Sequence, residues 1–299
     1  MIKVRVPATS ANMGPGFDSL GIAVSLYNYF GFRETEGGLS FSGFPEEFCN
    51  ENNIVYESMM KCFEKAGYTP KGLEICSLDQ NIPIARGLGS SSSCIVGGLV
   101  GANKIMGNVF TKDELFQMAV EIEGHPDNVA PAMFGGMVVS IMDEGVSYHD
   151  IVKVKDGIKF VPMIPDFKLS TKEARAVLPK EISIKDGVYN VGRVALMVTA
   201  LSNGSYDLLK FACKDAFHEN YRSKLIKGFD EVKEEAYKVG ALATYLSGAG
   251  PTIMAVVSSN EGEKFKINIE NFLKEKSFNW AVHELSIDTQ GAFIIEGEE

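Results

Sequence analysis

The first third of the chain divides into short apolar stretches separated by polar turns, a pattern typical of β-structure. Residues 20–33 are apolar with recurring tyrosine and phenylalanine, and residues 39–44 alternate with period two, so both segments predict strands. Residues 53–66 instead repeat apolar side chains at three- and four-residue spacing, beginning with Val55 and Met59. That spacing predicts an amphipathic helix.

Further helices follow in the middle of the chain. Thr111 is followed three residues later by an acid, which is the capping-box pattern and predicts the start of a helix running to about Glu123. Gly124 ends that helix, and we expect Pro126 and Pro131 to keep the next segment irregular.

The second half mixes strands and helices without a regular strand–helix–strand alternation. This mixture predicts an α+β fold rather than a doubly wound parallel sheet. Residues 145–156 are polar and turn-like, so we expect two domains, 1–155 and 156–299. Residues 239–257 carry no charge over a length that could span a bilayer, but the run Gly248–Pro251 interrupts them. We read this segment as two core elements joined by a loop.

The net charge and the cysteine content exclude several classes of partner and site. The net charge of −10, from 39 acidic and 29 basic residues, disfavours nucleic acid and anionic membrane as partners. Five scattered cysteines with no CxxC pair indicate reduced thiols rather than disulfides or a zinc site. The N-terminus alternates like a strand and carries no signal-peptide pattern, so we expect a cytoplasmic protein.

The most informative segment is a glycine- and serine-rich loop that opens onto a small, apolar helix at residues 94–102. Such a loop leaves backbone N–H groups free at the positive end of a helix dipole, which predicts a phosphate site. No lysine precedes the serines and no third glycine follows, so neither the P-loop nor the dinucleotide pattern is present. The predicted nucleotide-binding residues are Pro83, Ile84, Ala85, Arg86, Gly87, Leu88, Gly89, Ser90, Ser91, Ser92 and Ser93.

Five segments in order resemble the motifs of the GHMP small-molecule kinases. They are Pro7–Asp18, Pro83–Ser93, Glu123–Ala132, Thr171–Arg175 and Leu246–Thr252. The third and fourth are similar to the members that phosphorylate homoserine. The resemblance implies a two-domain α+β fold, with an N-terminal domain like the second domain of ribosomal protein S5 and a ferredoxin-like C-terminal domain. The site is then expected in the cleft between them.

The resemblance also implies roles for individual side chains. Asp18 would pair with a substrate ammonium, Arg175 and Arg222 with its carboxylate, and Asn12 and Asn128 with the reacting hydroxyl. Guanidinium groups suit a carboxylate because they present a planar pair of donors.

Two further residues of the third motif belong to this predicted site. His125 resembles a substrate contact. Asp127 stays open between a general base and a group that holds the substrate. Phosphoryl transfer proceeds with little base catalysis when positioning and charge neutralisation are provided.

A magnesium ion is expected with ATP, because the phosphate charge needs a metal and oxygen ligands. The resemblance assigns this ion to Glu121 and to Ser91. The four consecutive serines leave the alignment of Ser91 open by one position. We expect Glu123 to be an ordinary exposed acid. On this resemblance the expected reaction is ATP-dependent phosphorylation of L-homoserine by a homodimer. The alternatives are a sister kinase for another small alcohol and a non-catalytic nucleotide-binding protein.

Overall fold

A computed structural model describes residues 1–295 and contains two β-sheets flanked by helices. The strands are β1 Ile2–Ala11, β2 Leu20–Glu34, β3 Gly38–Ser42, β4 Gly72–Gln80, β5 Met137–Asp143, β6 Val146–Val152, β7 Ile158–Pro165, β8 Ala243–Leu246, β9 Ile253–Ser258, β10 Trp280–Val282 and β11 Phe293–Ile295. The helices are α1 Ile54–Ala66, α2 Ser90–Ile105, α3 Lys112–Glu123, α4 Pro126–Phe134, α5 Thr171–Ala176, α6 Ile184–Asn203, α7 Leu209–Ala212, α8 Glu219–Arg222, α9 Phe229–Lys238 and α10 Gly262–Glu275.

The first sheet has the order β11-β1-β2-β4-β3, and β5 pairs with both β2 and β6. All its pairs are antiparallel except β3 with β4. Side chains from α1 to α4 share one buried core with β1, β2 and β4. The glycine- and serine-rich loop leads directly into α2. The packing of α2 in this core therefore fixes the position of the loop.

The small residues of α2 let it lie directly on the sheet. A Cβ atom added to Gly101 would sit 2.3 Å from the Phe32 ring, and one added to Gly97 would sit 2.7 Å from Phe30. Both distances are too short for real carbon contacts. The glycines are therefore required for this close helix–sheet packing.

The second sheet has the order β10-β7-β9-β8 and is antiparallel throughout. Helices α9 and α10 pack on one face around Val232, Phe265 and Ile269. A separate buried cluster joins residues of both sheets, such as Ile22 and Met254. The two units are thus held together by a continuous apolar contact.

The end of the described chain returns to the first sheet. Leu285 bridges Phe160 in the second sheet, Ile287 bridges Val24 in the first, and β11 then pairs with β1. We propose that the chain divides near residue 155, between β6 and β7, with residues after Leu285 packing on the first unit.

Most of the predicted elements are confirmed, and two are wrong. Residues 146–152, expected to be turn-like, form strand β6, whose backbone groups pair with β5 in an antiparallel hairpin. Residues 20–34 form a strand, Asn53 caps α1, and the capping box starts α3 as expected. The segment after Gly124 is helical rather than irregular. Pro126 occupies the first turn of α4, where a missing N–H costs nothing, and α4 also contains Pro131 in its interior. Among the described residues, the helices are too short or too polar to cross a bilayer.

Candidate active site

A cleft with a cavity volume of about 390 Å³ lies where the two units meet. All five motif segments and Arg222 contribute to its lining. Of the predicted nucleotide-binding residues, Pro83, Leu88, Ser92 and Ser93 do not line this cavity, whereas the rest of the loop up to Ser91 does. The predicted cleft location therefore agrees with the geometry.

The glycine loop delivers an uncapped helix terminus to the cleft. Gly87 and Gly89 have φ values of 75° and 70°, and no side chain caps the start of α2 at Ser90. A Cβ on Gly89 would lie 1.9 Å from Thr9 Oγ1, so only glycine fits there. The first amides of α2 are therefore available to an anion, as the loop pattern predicts.

The loop is held by hydrogen bonds from the first and last motifs. The Thr9 amide donates to the Leu88 carbonyl at 3.1 Å, and the Ser247 hydroxyl donates to the Gly87 carbonyl at 2.6 Å. Distant parts of the chain thus fix the loop backbone before any ligand arrives.

Contrary to the expectation, Glu123 rather than Glu121 lies beside the loop serines. Ser91 Oγ donates to Glu123 Oε2 at 3.0 Å, and Ser92 Oγ donates to Glu123 Oε1 at 3.1 Å. Glu121 is half exposed and pairs with Lys61 at 2.8 Å. Residues two apart lie about 200° apart around an α-helix, so only one of the two acids can face the loop. Glu123 also lines the cleft, contrary to its expected exposure.

His125 and Asp127 form a close pair where α4 begins. His125 Nδ1 lies 2.6 Å from Asp127 Oδ1, and the Asp127 side chain is almost fully buried. Burial lowers the pKa of His125, but the hydrogen bond and charge of Asp127, with smaller effects of Glu123 and Asp18, outweigh it and raise that pKa. The pair therefore favours an imidazolium beside a carboxylate.

Asn128 and Asn12 are both held by the fold. Thr9 Oγ1 donates to Asn128 Oδ1 at 2.7 Å, which leaves the Asn128 amide hydrogens for a ligand. Asn12 accepts from the Asp18 amide at 3.0 Å and donates to the Gly248 carbonyl at 2.9 Å. Asn12 thus ties the Pro7–Asp18 segment to the Leu246–Thr252 segment and keeps one amide hydrogen for a ligand.

Asp18 and Arg175 are paired with each other. The guanidinium donates from Nη2 to Asp18 Oδ1 at 2.8 Å and from Nη1 to Oδ2 at 3.1 Å. We expected them at opposite ends of a substrate, so this direct pair is a difference from the sequence-based prediction. Burial lowers the pKa of Arg175, but the hydrogen bond and charge of Asp18 and the charge of Asp127 raise it overall.

Arg222 is almost fully buried, lines the cleft and is anchored by two backbone carbonyls. Its Nε donates to the Ala174 carbonyl at 3.0 Å and its Nη1 to the Gly248 carbonyl at 3.1 Å. Burial, together with the charge of nearby Arg175, lowers the pKa of Arg222 to about 10. The group still carries its charge at neutral pH, so two cations converge on this end of the cleft.

Sequence reasoning missed the buried groups that support Arg222. Asp215 accepts from the amides of residues 217–219 and from Asn190 Nδ2, which starts the turn leading to Arg222. His218 lies four residues before Arg222, a spacing that places both on one helix face. That spacing was the available signal.

Comparison with known proteins agrees with the motifs. Residues 53–136 match the model of the GHMP kinases N terminal domain, and residues 197–274 match that of the GHMP kinases C terminal. The chain is 65% identical to a homoserine kinase of Clostridium beijerinckii over 99% of both chains, and 60% identical to one of Clostridium botulinum over 100% of both. A crystal structure of homoserine kinase from Cytophaga hutchinsonii superposes with a TM-score of 0.87 at 31% identity, covering 98% of this chain and 97% of that one. The chain has the two-domain GHMP kinase fold that its motifs predicted, and it belongs to the GHMP kinase family, among its homoserine kinases.

Proposed function

We propose that this protein transfers the γ-phosphoryl group of ATP to the side-chain hydroxyl of L-homoserine. One observation carries the proposal: a single cleft joins an uncapped helix N-terminus, which suits phosphate, to two carboxylates and two guanidiniums, which suit a zwitterion. An amino-acid substrate needs both signs of charge, whereas a sugar or mevalonate does not need both.

The phosphate side of the cleft consists of the loop amides and the acid of α3. The loop amides bind the phosphate oxygens of ATP. The hydroxyls of Ser91 and Ser92 and the Glu123 carboxylate form an all-oxygen set, which fits Mg²⁺. We assign the ion to Ser91 and Glu123, and when bound it neutralises charge on the phosphates.

The amino-acid side consists of Asp18, Asp127 and the two arginines. One carboxylate oxygen of Asp18 and one of Asp127 lie within 4.8 Å of each other, close enough for both to contact one small cation. A substrate ammonium fits between these carboxylates, and its carboxylate faces Arg175 and Arg222. The substrate ammonium then contacts Asp18 and the substrate carboxylate contacts Arg175, two side chains that are paired with each other before the substrate binds.

Positioning of the hydroxyl falls to Asn128, and Asp127 holds substrate. Asp127 already accepts a hydrogen bond from His125, whose raised pKa favours the protonated ring. That hydrogen bond already occupies Asp127 Oδ1, so we assign Asp127 to holding the substrate rather than to removing its proton. The loose transition state of phosphoryl transfer asks mainly for alignment of the hydroxyl with the γ-phosphate and for charge neutralisation.

The test is ADP release measured by a coupled assay with homoserine, mevalonate, shikimate and galactose as acceptors. We expect turnover with homoserine alone. Turnover with another alcohol, unaffected by loss of Arg175 or Arg222, would favour a sister kinase. Binding of ATP without turnover on any of the four would favour a non-catalytic protein.

Assembly and location are also proposals. We propose a cytoplasmic homodimer, supported by five free cysteines and by exposed apolar side chains such as Ile141 and Tyr148 on the β5–β6 hairpin. Light scattering coupled to gel filtration tests the dimer, and a mass of about 33 kDa, close to the 32.6 kDa of one chain, would contradict it.

A further inference from the structure

His218 lies directly behind Arg222 and has no solvent exposure. Its Nε2 lies 2.9 Å from the Gly14 carbonyl oxygen, and its Nδ1 lies 3.4 Å from Arg222 Nη1. The imidazole therefore bridges the first glycine turn and the guanidinium. In the described chain it does not line the cleft, so a direct contact with substrate is not part of its role.

The two neighbours define the protonation state of the ring. A carbonyl oxygen only accepts hydrogen bonds, so Nε2 must carry the hydrogen, and a guanidinium only donates, so Nδ1 must be bare. The charged groups around the ring are Asp215, Arg222 and Glu219. Burial lowers the pKa of His218, which agrees with a neutral ring.

The imidazole also belongs to an aromatic support for both arginines. The Phe17 ring lies 5.3 Å from the His218 ring, centroid to centroid. The guanidinium carbons of Arg222 and Arg175 lie 5.3 Å and 5.6 Å from the centre of the same Phe17 ring. Phe17 immediately precedes Asp18, so this support connects the arginines to the residue that faces the ammonium.

We propose that His218 is a positioning residue for substrate binding: as a neutral imidazole with its hydrogen on Nε2, it fixes the Arg222 guanidinium relative to the Gly14 turn. The inference rests on the proposed function, which gives Arg222 to the homoserine carboxylate. Ala174 and Gly248 hold Arg222 from two other segments, so the histidine supplies the contact that orients it toward the first motif.

Three variants separate the two hydrogen bonds of His218. His218→Phe keeps a ring against Phe17 and removes both bonds. His218→Gln places an amide on the Nε2 side of the former ring, and His218→Asn places one on the Nδ1 side, where its oxygen can accept from Arg222. We expect His218→Phe and His218→Gln to raise the KM for homoserine on the order of 10-fold, the usual effect of losing a hydrogen bond to a charged group.

The KM for ATP and kcat are measured for the same variants. We expect the KM for ATP to stay within about 2-fold and kcat to change less than the homoserine KM, because the lost interaction concerns substrate binding. His218→Asn should recover only part of the homoserine affinity, because it keeps an acceptor for Arg222 but loses the bond to the Gly14 carbonyl. His149→Phe is the control: His149 stacks on Phe134 at 3.9 Å, away from the cleft-lining residues, and its replacement should leave both KM values unchanged.

Parallel measurements on Arg222→Lys distinguish a failure of the proposed function from a failure of the proposed role of His218. If the wild type does not phosphorylate homoserine, or Arg222→Lys leaves the homoserine KM unchanged, the proposed function or its carboxylate assignment is wrong. If Arg222→Lys raises that KM while His218→Phe does not, only the role of His218 is wrong. If His218→Phe raises the KM for homoserine and the KM for ATP equally, and His218→Asn recovers neither, then His218 has a purely structural role.

A spectroscopic test does not depend on the variants folding. Nitrogen-15 NMR of the wild-type protein labelled at its four histidines reports which ring nitrogen carries hydrogen. We expect one ring with the hydrogen on Nε2 and no titration between about pH 6 and 8, as for a buried neutral histidine. A His218 ring that is charged, or that carries its hydrogen on Nδ1, would overturn the proposal.

Discussion

Asp18 and Arg175 form a two-pronged ion pair across the substrate end of the cleft. Asp18 comes from the first turn and Arg175 from α5, which are 157 residues apart in the chain. Both side chains are about one-third exposed, so the pair is open to a competing zwitterion. Substrate binding therefore exchanges one salt bridge for two rather than creating charge contacts from nothing.

The replacement of Arg175 by lysine tests this exchange. Lysine keeps the charge but loses the planar pair of donors, so we expect homoserine binding to weaken by about 1–3 kcal/mol. The KM for ATP should change little. A change confined to the KM for ATP would place Arg175 on the nucleotide side instead.

Glu123→Gln tests the metal assignment, with Glu121→Gln as its matched control. The amide of glutamine removes the charge next to Ser91 and Ser92, so we expect most of the activity to be lost while the fold and ATP binding remain. Glu121→Gln alters only a surface pair with Lys61 and should turn over normally. The measurement is turnover at saturating magnesium for both variants. A loss confined to Glu121→Gln would return the magnesium ion to Glu121.

Asp127→Asn separates positioning from general-base catalysis. An obligatory base would cost on the order of 100- to 10,000-fold in turnover. The pair with His125 instead predicts a loss mainly in the KM for homoserine, with a much smaller fall in kcat. Steady-state kinetics measure both, and a collapse of kcat with unchanged homoserine binding would show that Asp127 is the base.

The His125–Asp127 pair also predicts a pH-dependent stability. The pKa of His125 is raised in the folded state, so its contribution is fully present below the unfolded value of about 6.5 and is lost as pH rises through the folded value. Urea unfolding of the wild type and His125→Gln from about pH 5 to 9 measures this. We expect the difference in unfolding free energy to shrink as pH rises, and a constant difference would contradict the pairing.

Gly101→Ala tests the close packing of α2. The added methyl group would meet the Phe32 ring, so we expect a loss of about 1–3 kcal/mol in unfolding free energy from overpacking. Gly187→Ala is a control, because a Cβ there meets no atom within 4 Å and α6 is helical. Thermal or urea unfolding of both variants measures the effect, and equal stabilities would refute the packing argument.

The sequence predicted the parts of the site that are local. The glycine loop, the capping box and the α+β class depend on short-range patterns, and all three are present. The choice between Glu121 and Glu123 could not be made this way, because it depends on which face of α3 meets α2. Asp215 and His218 were missed because their partners, Asn190 and Gly14, are distant in sequence.

The return of β11 to the first sheet has a consequence for synthesis of this protein on the ribosome. While only residues up to about 155 have emerged, β1 lacks one neighbour, and Arg5 lacks Asp288 as its partner. The first sheet then presents a free edge that only the last part of the chain can cover. A C-terminal truncation that removes β11 should therefore damage the nucleotide-binding half, although the deleted residues lie far from the glycine loop in sequence.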